Sequence, residues 1–409
     1  MLIYLFYVFI TFYQIIDFLF VTYKDCLFYK VTFQEYLKRF TFSLPYNNYD
    51  FIFYGVSCGE TKLFNYFIDY LKEKNKYENK VKSFLVCTHT LSSYRMNCNN
   101  EYPTVLLPFD NFFTMFFFFF SLRPKILFIS DRDIKPFFIL CAKLFLCKIF
   151  YVNYITRNDS MRRIIANEIH SLIADKIFYK DKDGFDNGFD NGFDNSFINV
   201  SFNKQYFIGD LKWLSTKFLD NEKFKEVTFV IASANENELQ IHLKFIRSFK
   251  HFRIIYVPRY LNWEDTLKSN ISDMDYYWLD NKDNLEDSLD HKFIIVWSYG
   301  LLNYFFSKSH ICLMGNTFFA KNGGHNLIES AIHSNAILLG PSFSTCKNQA
   351  DYLHCIYSYD AEDLICKARK MILYKTYNYI GNQNKQIVIQ KQKEVFNNLH
   401  NHILIEYLS

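Results

Sequence analysis

The feature that most constrains the fold is a regular alternation of short apolar runs and longer mixed segments from residue 50 onward. Apolar runs of about four to eight residues, bounded by turn formers and separated by helix-length stretches, are typical of buried parallel strands. The runs fall into two series, which predict two doubly wound α/β domains. The first series is FIFYGVS, KSFLVCT, KILFIS, KIFYVN and DKIFYK, and the second is TFVIAS, FRIIYVP, KFIIVWS, HICLMGN and AILLGP.

The length of 409 residues also suits two domains of ordinary size. A tetrapeptide, GFDN, repeats from Gly184 to Asn195, and its turn-forming residues predict a surface loop over 183–196. The spacing of its acidic residues does not match a calcium-binding EF-hand loop. We therefore expect four regions, which are a membrane anchor at 1–23, an N-terminal domain at 24–203, a C-terminal domain at 204–375 and a C-terminal helix at 376–409.

The first 23 residues are nearly all apolar, and Gln14 and Asp17 interrupt them. Such a segment is long enough to cross a bilayer, and it lacks the basic start and the small-residue cleavage site of a signal peptide. A buried helix is the alternative. The first positive charges, beginning at Lys24, follow the segment, so the positive-inside rule places the main body in the cytoplasm.

A second apolar stretch, from Thr114 to Ser121, contains five consecutive phenylalanines but is too short to span a membrane. One interpretation is an unusually hydrophobic helix that packs on the first sheet. The other is an exposed patch that faces lipid. The sequence favours neither interpretation.

Charge and cysteine usage restrict the possible ligands. The net charge is +4, which argues against a dedicated nucleic-acid-binding protein. The ten cysteines form no CxxC pair, and the histidines do not complete a zinc pattern. We therefore expect reduced core cysteines in a cytoplasmic protein, and no bound metal.

The segment GVSCGE, from Gly55 to Glu60, follows the first predicted strand. The turn after such a strand lies at the carboxyl edge of the sheet, where α/β proteins bind ligands. Glu60 is expected at the start of the next helix, either as a residue that complements the helix dipole or as a general base. After the third strand, Asp131 and Asp133 resemble a DxD motif, although such a pair is more often part of a turn.

The segment KNGGHNLIES, residues 321–330, has features of a nucleotide-sugar site. Gly323 and Gly324 allow a tight turn, and the helix predicted to follow offers N–H groups for a phosphate. Glu329, about one and a half turns into that helix, has a carboxylate that can accept hydrogen bonds from a ribose. No GK[ST] follows the glycines, so the segment is not a P-loop. Arg259 and Lys212 also lie near strand ends, as surface charges or as phosphate contacts.

Taken together and in order, these segments resemble the bacterial Kdo transferases, which transfer 3-deoxy-D-manno-octulosonic acid. The resemblance extends from about Lys38 to about Leu353. VSCGE is similar to the family's H-A-V-S-V-G-E, and CTHTLSSYR to its T-x-T-x-T-S segment. IGDLK, ASANENE and VPRY follow T-G-N-L-K, A-S-T-H-x-G-E and V-P-R-H. GGHNLIESA with the later LLGP matches G-G-H-N-x-x-E-x-A and its G-P almost residue for residue.

The resemblance implies a membrane-anchored GT-B enzyme in which two Rossmann-like domains face a cleft. It also implies inverting transfer of Kdo from CMP-Kdo to a lipid A precursor, without a metal, at the cytoplasmic face of the inner membrane. Its partners would be these two substrates and membrane lipid. The implied residues are a catalytic base at Glu60, an acceptor side at Ser57, Arg95, Asp131 and Asp133, and donor contacts at Lys212, Ser233, Arg259, Gly323, Gly324, His325, Asn326 and Glu329.

The chain departs from the family pattern at several positions. Asp131 replaces a glutamate, Asn235 and Tyr260 replace histidines, and Trp297 begins a segment that lacks the family's acids. Two alternatives follow from these differences. One is a GT-B enzyme that uses another nucleotide sugar or acceptor, and the other is a membrane-anchored pseudoenzyme that acts as a scaffold.

Overall fold

The structure is a computed structural model. It describes residues 19, 22–23, 32–40, 48–78, 83–98, 102–130, 135–155, 167, 169–180, 182, 185, 205–216, 218–321 and 323–404. Two compact units divide these residues. The first extends to Ser215 and resumes at Glu394, and the second extends from Thr216 to Lys393.

The first unit contains a parallel sheet whose described strands are β1 Phe51–Gly55, β2 Phe84–Thr88, β3 Thr104–Leu106, β4 Ile126–Ser130, β5 Lys148–Tyr154, β6 Lys176–Tyr179 and β7 Gln205–Phe207. Their order in the sheet is β3-β2-β1-β4-β5-β6-β7. Every residue of β1, β2, β4 and β6 is buried, because helices cover a sheet of this kind on its faces. The helices are Phe33–Leu37, Cys58–Glu78, Leu91–Cys98, Phe112–Leu122 and Pro136–Leu144, with a 3-10 turn at Leu211–Leu214.

The second unit repeats this plan. Its described strands are β8 Thr228–Ala234, β9 Arg253–Pro258, β10 Tyr277–Leu279, β11 Phe293–Val296, β12 Ile311–Met314, β13 Ala336–Leu339 and β14 Cys355–Tyr357, in the order β10-β11-β9-β8-β12-β13-β14. The helices are Leu239–Ser248, Glu264–Asn270, Leu285–Ser288, Leu302–Lys308, Ile328–Ile332, Lys347–Ala350, Ala361–Leu373 and Thr376–Leu399. The two parallel sheets confirm the predicted pair of Rossmann-like domains.

Each sheet has one point where the strand order reverses. In the first unit β1 pairs with both β2 and β4, and in the second β8 pairs with both β9 and β12. The crevice at the carboxyl ends of such strands is the usual ligand site of an open α/β sheet. We therefore expect the ligand-binding residues in the turns after β1, β8 and β12.

The division between the units lies later than the predicted junction at 203/204. Strand β7 pairs with β6 and so belongs to the first sheet, and the first unit continues to Ser215. The predicted C-terminal helix is present as Thr376–Leu399, but its residues from Glu394 belong to the first unit. The chain therefore returns to its first unit at the end.

Two predictions fall largely outside the described residues. Only Leu19, Thr22 and Tyr23 of the expected anchor are described, and only Phe185 of the repeat loop at 183–196. Among the helices of the described residues, none has both the length and the apolar character needed to cross a membrane.

Candidate active site

The turn after β1 places Glu60 in the first turn of the helix Cys58–Glu78. Its Oε2 accepts hydrogen bonds from the N–H of Val56 at 2.6 Å and of Ser57 at 3.4 Å. In return, the Ser57 hydroxyl accepts the N–H of Glu60 at 3.4 Å. This reciprocal pair is a capping box, so Glu60 has the helix-start role that the sequence allowed. The half-buried carboxylate also lies at the carboxyl edge of the sheet, where a general base is expected.

Arg95, assigned to the acceptor side, forms a two-point ion pair within the first unit. Its Nε lies 2.7 Å from Glu35 Oε1, and its Nη2 donates to Glu35 Oε2 at 2.8 Å. The Arg95 hydrogen bonds lower the pKa of Glu35 to about 2. Glu35 also forms a second capping box with Thr32, so Arg95 joins the helix Phe33–Leu37 to the helix Leu91–Cys98.

Three further predicted site residues, Asp131, Asp133 and Lys212, are not part of the contacts described for Glu60 and Arg95. Asp131 and Asp133 lie outside the described residues. Lys212 was assigned to the C-terminal domain, but it belongs to the first unit, where it is exposed and its N–H donates to Asp210 Oδ1 at 2.8 Å. The cause of this difference is the strand β7, which extends the first sheet beyond the predicted junction.

In the second unit, two neighbouring strands end in left-handed backbone. Ser233, in β8, has φ 54°, and Asn316, just after β12, has φ 59°. The pairing of β8 with β9 shifts between Ala232 and Ala234, which marks a bulge at Ser233. A side chain at Gly315 would place its Cβ only 2.7 Å from the Ser233 carbonyl oxygen, so the two strand ends are in close contact. Left-handed non-glycine residues often mark functional sites, and this pair lies at the switch point of the sheet.

The Gly323–Gly324 turn packs against the same strand end. The N–H of Gly324 donates to the Asn316 carbonyl at 2.7 Å, and Gly324 has φ +95°. A Cβ at Gly323 would clash with the carbonyl oxygens of Asn316 and Ser342. Both glycines are therefore required by the backbone, as the sequence predicted for a tight turn.

The helix after the glycines begins later than predicted. It extends over Ile328–Ile332, so Glu329 lies in its first turn rather than one and a half turns in. The N–H of Leu327 donates to Gln349 Oε1 at 2.8 Å, and that of Ile328 donates to Asn326 Oδ1 at 3.2 Å. Side chains therefore already accept these two N–H groups, and the phosphate site expected at the helix start stays a prediction.

His325 and Arg259 provide a different kind of ligand contact. The buried Nε2 of His325 has no hydrogen-bond partner among the described residues. Burial and, second, the Arg259 charge lower the pKa of His325 to about 4, so its imidazole is neutral at neutral pH. Arg259 is exposed, and its backbone N–H donates to the Ala234 carbonyl at 2.8 Å, which fixes its backbone beside the end of β8. A buried polar atom without a partner beside a cation is an arrangement that an anionic ligand can complete.

Glu238 is a residue of this edge that the sequence reasoning did not assign. Its buried carboxylate accepts the N–H of Asn316 and of Phe318, each at 2.6 Å. Burial raises the pKa of Glu238 despite these bonds. The sequence contained a motif that could have identified this residue, since Glu238 is the final acid of the ASANENE segment. Glu238 thus fixes the backbone that leads from β12 toward the glycine turn.

In the part of the chain that the structure describes, no cluster of three or more His, Cys, Asp or Glu residues is placed to hold a metal ion.

Comparison with known proteins gives a consistent result. Residues 34–180 match the family model described as 3-deoxy-D-manno-octulosonic-acid transferase (kdotransferase). The enzyme of that name from Rickettsia prowazekii is 29% identical over 34% of this chain and 32% of its own length. The one from Rickettsia bellii is 23% identical over 71% of each chain. The match to the first of these relatives thus spans about a third of that protein's length.

Solved structures support the fold alone. A glycosyltransferase from Rickettsia africae superposes with a TM-score of 0.55 and 14% identity, covering 89% of this chain and all of that one. A UDP-N-acetylglucosamine 2-epimerase superposes with a TM-score of 0.58 and 12% identity, covering 87% of this chain and 96% of that one. The fold is therefore that of two Rossmann-like units, as in GT-B glycosyltransferases. The match of residues 34–180 to the family model and the shared name of these relatives support a relationship of the chain to the 3-deoxy-D-manno-octulosonic-acid transferases.

Proposed function

We propose that the protein is an inverting glycosyltransferase that moves Kdo from CMP-Kdo to a lipid A precursor at the cytoplasmic face of the inner membrane. The family match supports Kdo transfer in lipopolysaccharide synthesis. The observation that carries the donor assignment is the buried His325 Nε2 without a hydrogen-bond partner among the described residues, beside Arg259. The proposal assigns the donor to the second unit and the base to the first.

In the proposed donor site, the phosphate of CMP lies near Arg259 and His325, and Glu329 accepts hydrogen bonds from the ribose. Ser233, Asn326 and the glycine turn complete the contacts with the donor, and Lys212 is a further candidate for the phosphate. Negative charge grows on the phosphate as the bond to the sugar breaks. A cation next to that charge stabilises the transition state more than the ground state, because the negative charge is larger in the transition state.

In the proposed chemical step, Glu60 accepts the proton of an acceptor hydroxyl while that oxygen bonds to the anomeric carbon of Kdo. The bond between this carbon and the CMP oxygen breaks, and CMP leaves with the electron pair. Attack from the face opposite to the leaving group inverts the anomeric configuration. No step needs a metal, so we expect transfer to be insensitive to EDTA. Ser57, Arg95, Asp131 and Asp133 stay candidates for acceptor contacts.

The capping box makes Glu60→Gln a sharp test of the base. Glutamine can replace glutamate in a capping box, so the helix start is retained while the proton acceptor is lost. We expect transfer to fall by a factor of about 10² to 10⁴, the usual contribution of a general base. Transfer is measured in membranes with CMP-Kdo and a tetra-acylated lipid A precursor, with product mass as the readout. CMP-Kdo binding should survive the substitution.

A matched control is Asp363→Asn, which removes a comparable first-turn carboxylate from the helix Ala361–Leu373. Asp363 accepts the N–H of Tyr359 at 3.1 Å, much as Glu60 accepts that of Val56. This control should keep full transfer. Full transfer by Glu60→Gln would show that Glu60 serves only the helix start. Binding of CMP-Kdo without turnover by the unaltered protein would favour a pseudoenzyme that acts as a scaffold. Turnover of another nucleotide sugar would favour a GT-B enzyme with a different donor.

A further inference from the structure

The helix Phe112–Leu122 has two apolar faces, although its fold requires only one. Its buried residues are Met115, Phe118, Phe119 and Leu122, which pack on the first sheet at the usual helical spacing of three and four. The opposite face carries the same spacing in residues that are exposed, namely Phe113, Phe116, Phe117 and Phe120. A solvent-facing helix surface normally carries polar side chains at these positions. The buried face confirms a helix that packs on the first sheet, and the lipid-facing interpretation of the exposed face stays a prediction.

The neighbouring helix Pro136–Leu144 extends this apolar surface. Phe145, which follows it, lies with its ring 5.2 Å from that of Phe116. Leu146 is 89% exposed and has a left-handed backbone with φ 57°. We call the combined surface the Phe–Leu face, and its members are Phe113, Phe116, Phe117, Phe120, Leu140, Leu144 and Leu146, all of which are exposed.

The high phenylalanine content of the chain does not account for this surface. Among the phenylalanines whose burial the structure describes, seven are exposed, and four of these seven belong to this one helix. A random excess of phenylalanine would distribute its exposed members over both units. A continuous apolar surface of this kind indicates a contact partner.

The charges around the Phe–Leu face select the partner. Residues 111–125 and 135–148 contain no aspartate or glutamate, but they contain five basic residues. Two of these are paired with acids of other segments, Lys125 with Asp50 at 2.7 Å and Lys143 with Asp175 at 2.6 Å. Arg123 is exposed at the end of the phenylalanine helix, 5.2 Å from the Phe120 ring, and Lys148 is exposed at the start of β5. Aromatic and leucine side chains with a basic border match the interfacial region of an anionic bilayer.

We propose that the Phe–Leu face inserts into the headgroup region of an anionic membrane and orients the first unit on it. The inference rests on the proposed membrane location, but it does not depend on the Kdo reaction. The Phe–Leu face would thus give the first unit a second contact with the membrane, in addition to any anchor at 1–23, and would set its orientation there.

The test uses the full chain reconstituted in vesicles of phosphatidylglycerol and phosphatidylcholine, some with brominated acyl chains. Phe117, which is 53% exposed, is replaced in Phe117→Trp, and quenching by bromine reports contact with lipid. Quenching of the native tryptophans should be small, because Trp213, Trp263 and Trp297 are buried and Trp278 is partly buried in the second unit. A matched control is Tyr374→Trp, at a site in the second unit that is 71% exposed.

We expect bromine to quench the new tryptophan in Phe117→Trp and not the one in Tyr374→Trp. Adding Arg123→Gln to Phe117→Trp should weaken the contact about fivefold, as expected for one basic charge near an anionic surface. Absence of quenching in Phe117→Trp would overturn the proposal. If the new tryptophan were instead shielded from aqueous iodide, a second protein chain or residues 1–23 would cover the face. Kdo transfer measured in the same vesicles separates this result from a failure of the proposed reaction.

Discussion

Replacing Glu238 tests whether the strand ends of the second unit are fixed by a single buried carboxylate. Its two oxygens each accept one backbone N–H at 2.6 Å, from Asn316 and from Phe318. In Glu238→Gln, an NH₂ group takes the place of one acceptor oxygen and faces an N–H donor. The variant should therefore lose one of the two bonds and release part of the backbone between β12 and the glycine turn.

The expected magnitude follows from these two bonds. A buried N–H that is left without an acceptor costs about 1–3 kcal/mol. Glu238→Gln should therefore lower the free energy of unfolding by about 1–3 kcal/mol, and Glu238→Ala, which loses both bonds, by about 2–6 kcal/mol. Because Asn316 also accepts the N–H of Gly324, CMP should bind more weakly to both variants.

The assay is urea unfolding followed by tryptophan fluorescence. Three of the four tryptophans, Trp263, Trp278 and Trp297, lie in the second unit, so the signal reports mainly on that unit. Glu236→Gln is the matched control, because Glu236 is exposed and shares the 3-10 turn Glu236–Glu238 with Glu238. If Glu238→Gln unfolded at the same urea concentration as Glu236→Gln and bound CMP equally well, the proposed role of Glu238 would be refuted.

Two further predictions concern charged groups. Burial lowers the pKa of His325 to about 4 and that of His242 to about 3, from an ordinary value of 6.5. The folded state therefore binds fewer protons than the unfolded chain below pH 6.5, so stability is complete above that pH and is lost as the pH falls. Each histidine should reduce the free energy of unfolding by about 1–2 kcal/mol between pH 7 and pH 5, measurable by urea titrations at both values. His242→Gln should remove the share of His242 and leave that of His325. Arg95→Gln should raise the pKa of Glu35 from about 2 toward its ordinary value, as NMR titration would show, and should lower stability by only about 1 kcal/mol because the pair is partly exposed.

The sequence predicted the centre of each sheet and missed its edges. All ten apolar runs are strands, from FIFYGVS at β1 to AILLGP at β13. The four strands that were not predicted, β3, β7, β10 and β14, are the edge strands of the two sheets. Each has only three residues and is partly exposed, so it lacks the continuous apolar run that burial on both faces imposes.

The candidate site was predictable where the backbone itself imposes the residue type. The glycine pair and the strand-end position of Glu60 belong to this class, because a tight turn and a helix start have recognisable sequences. The start of the helix at Ile328 was not predictable, since it depends on Gln349, which is distant in sequence and accepts the Leu327 N–H. The role of Glu238 likewise depends on a segment about 80 residues later, which spacing does not reveal.

The left-handed conformation of Ser233 allows the proposed donor site to be tested through strain. Such a conformation costs a non-glycine residue about 1 kcal/mol, so Ser233→Gly should raise the free energy of unfolding by about that amount. If Ser233 contacts the nucleotide, the same variant should bind CMP more weakly, so stability and affinity should change in opposite directions. Ser334→Gly is the matched control, because Ser334 has φ 56° but precedes β13, at the opposite edge of the sheet. It should gain similar stability and keep its affinity. Equal CMP affinities of the two variants, measured by calorimetry, would remove Ser233 from the donor site, because the strain would then serve only the bulge in β8.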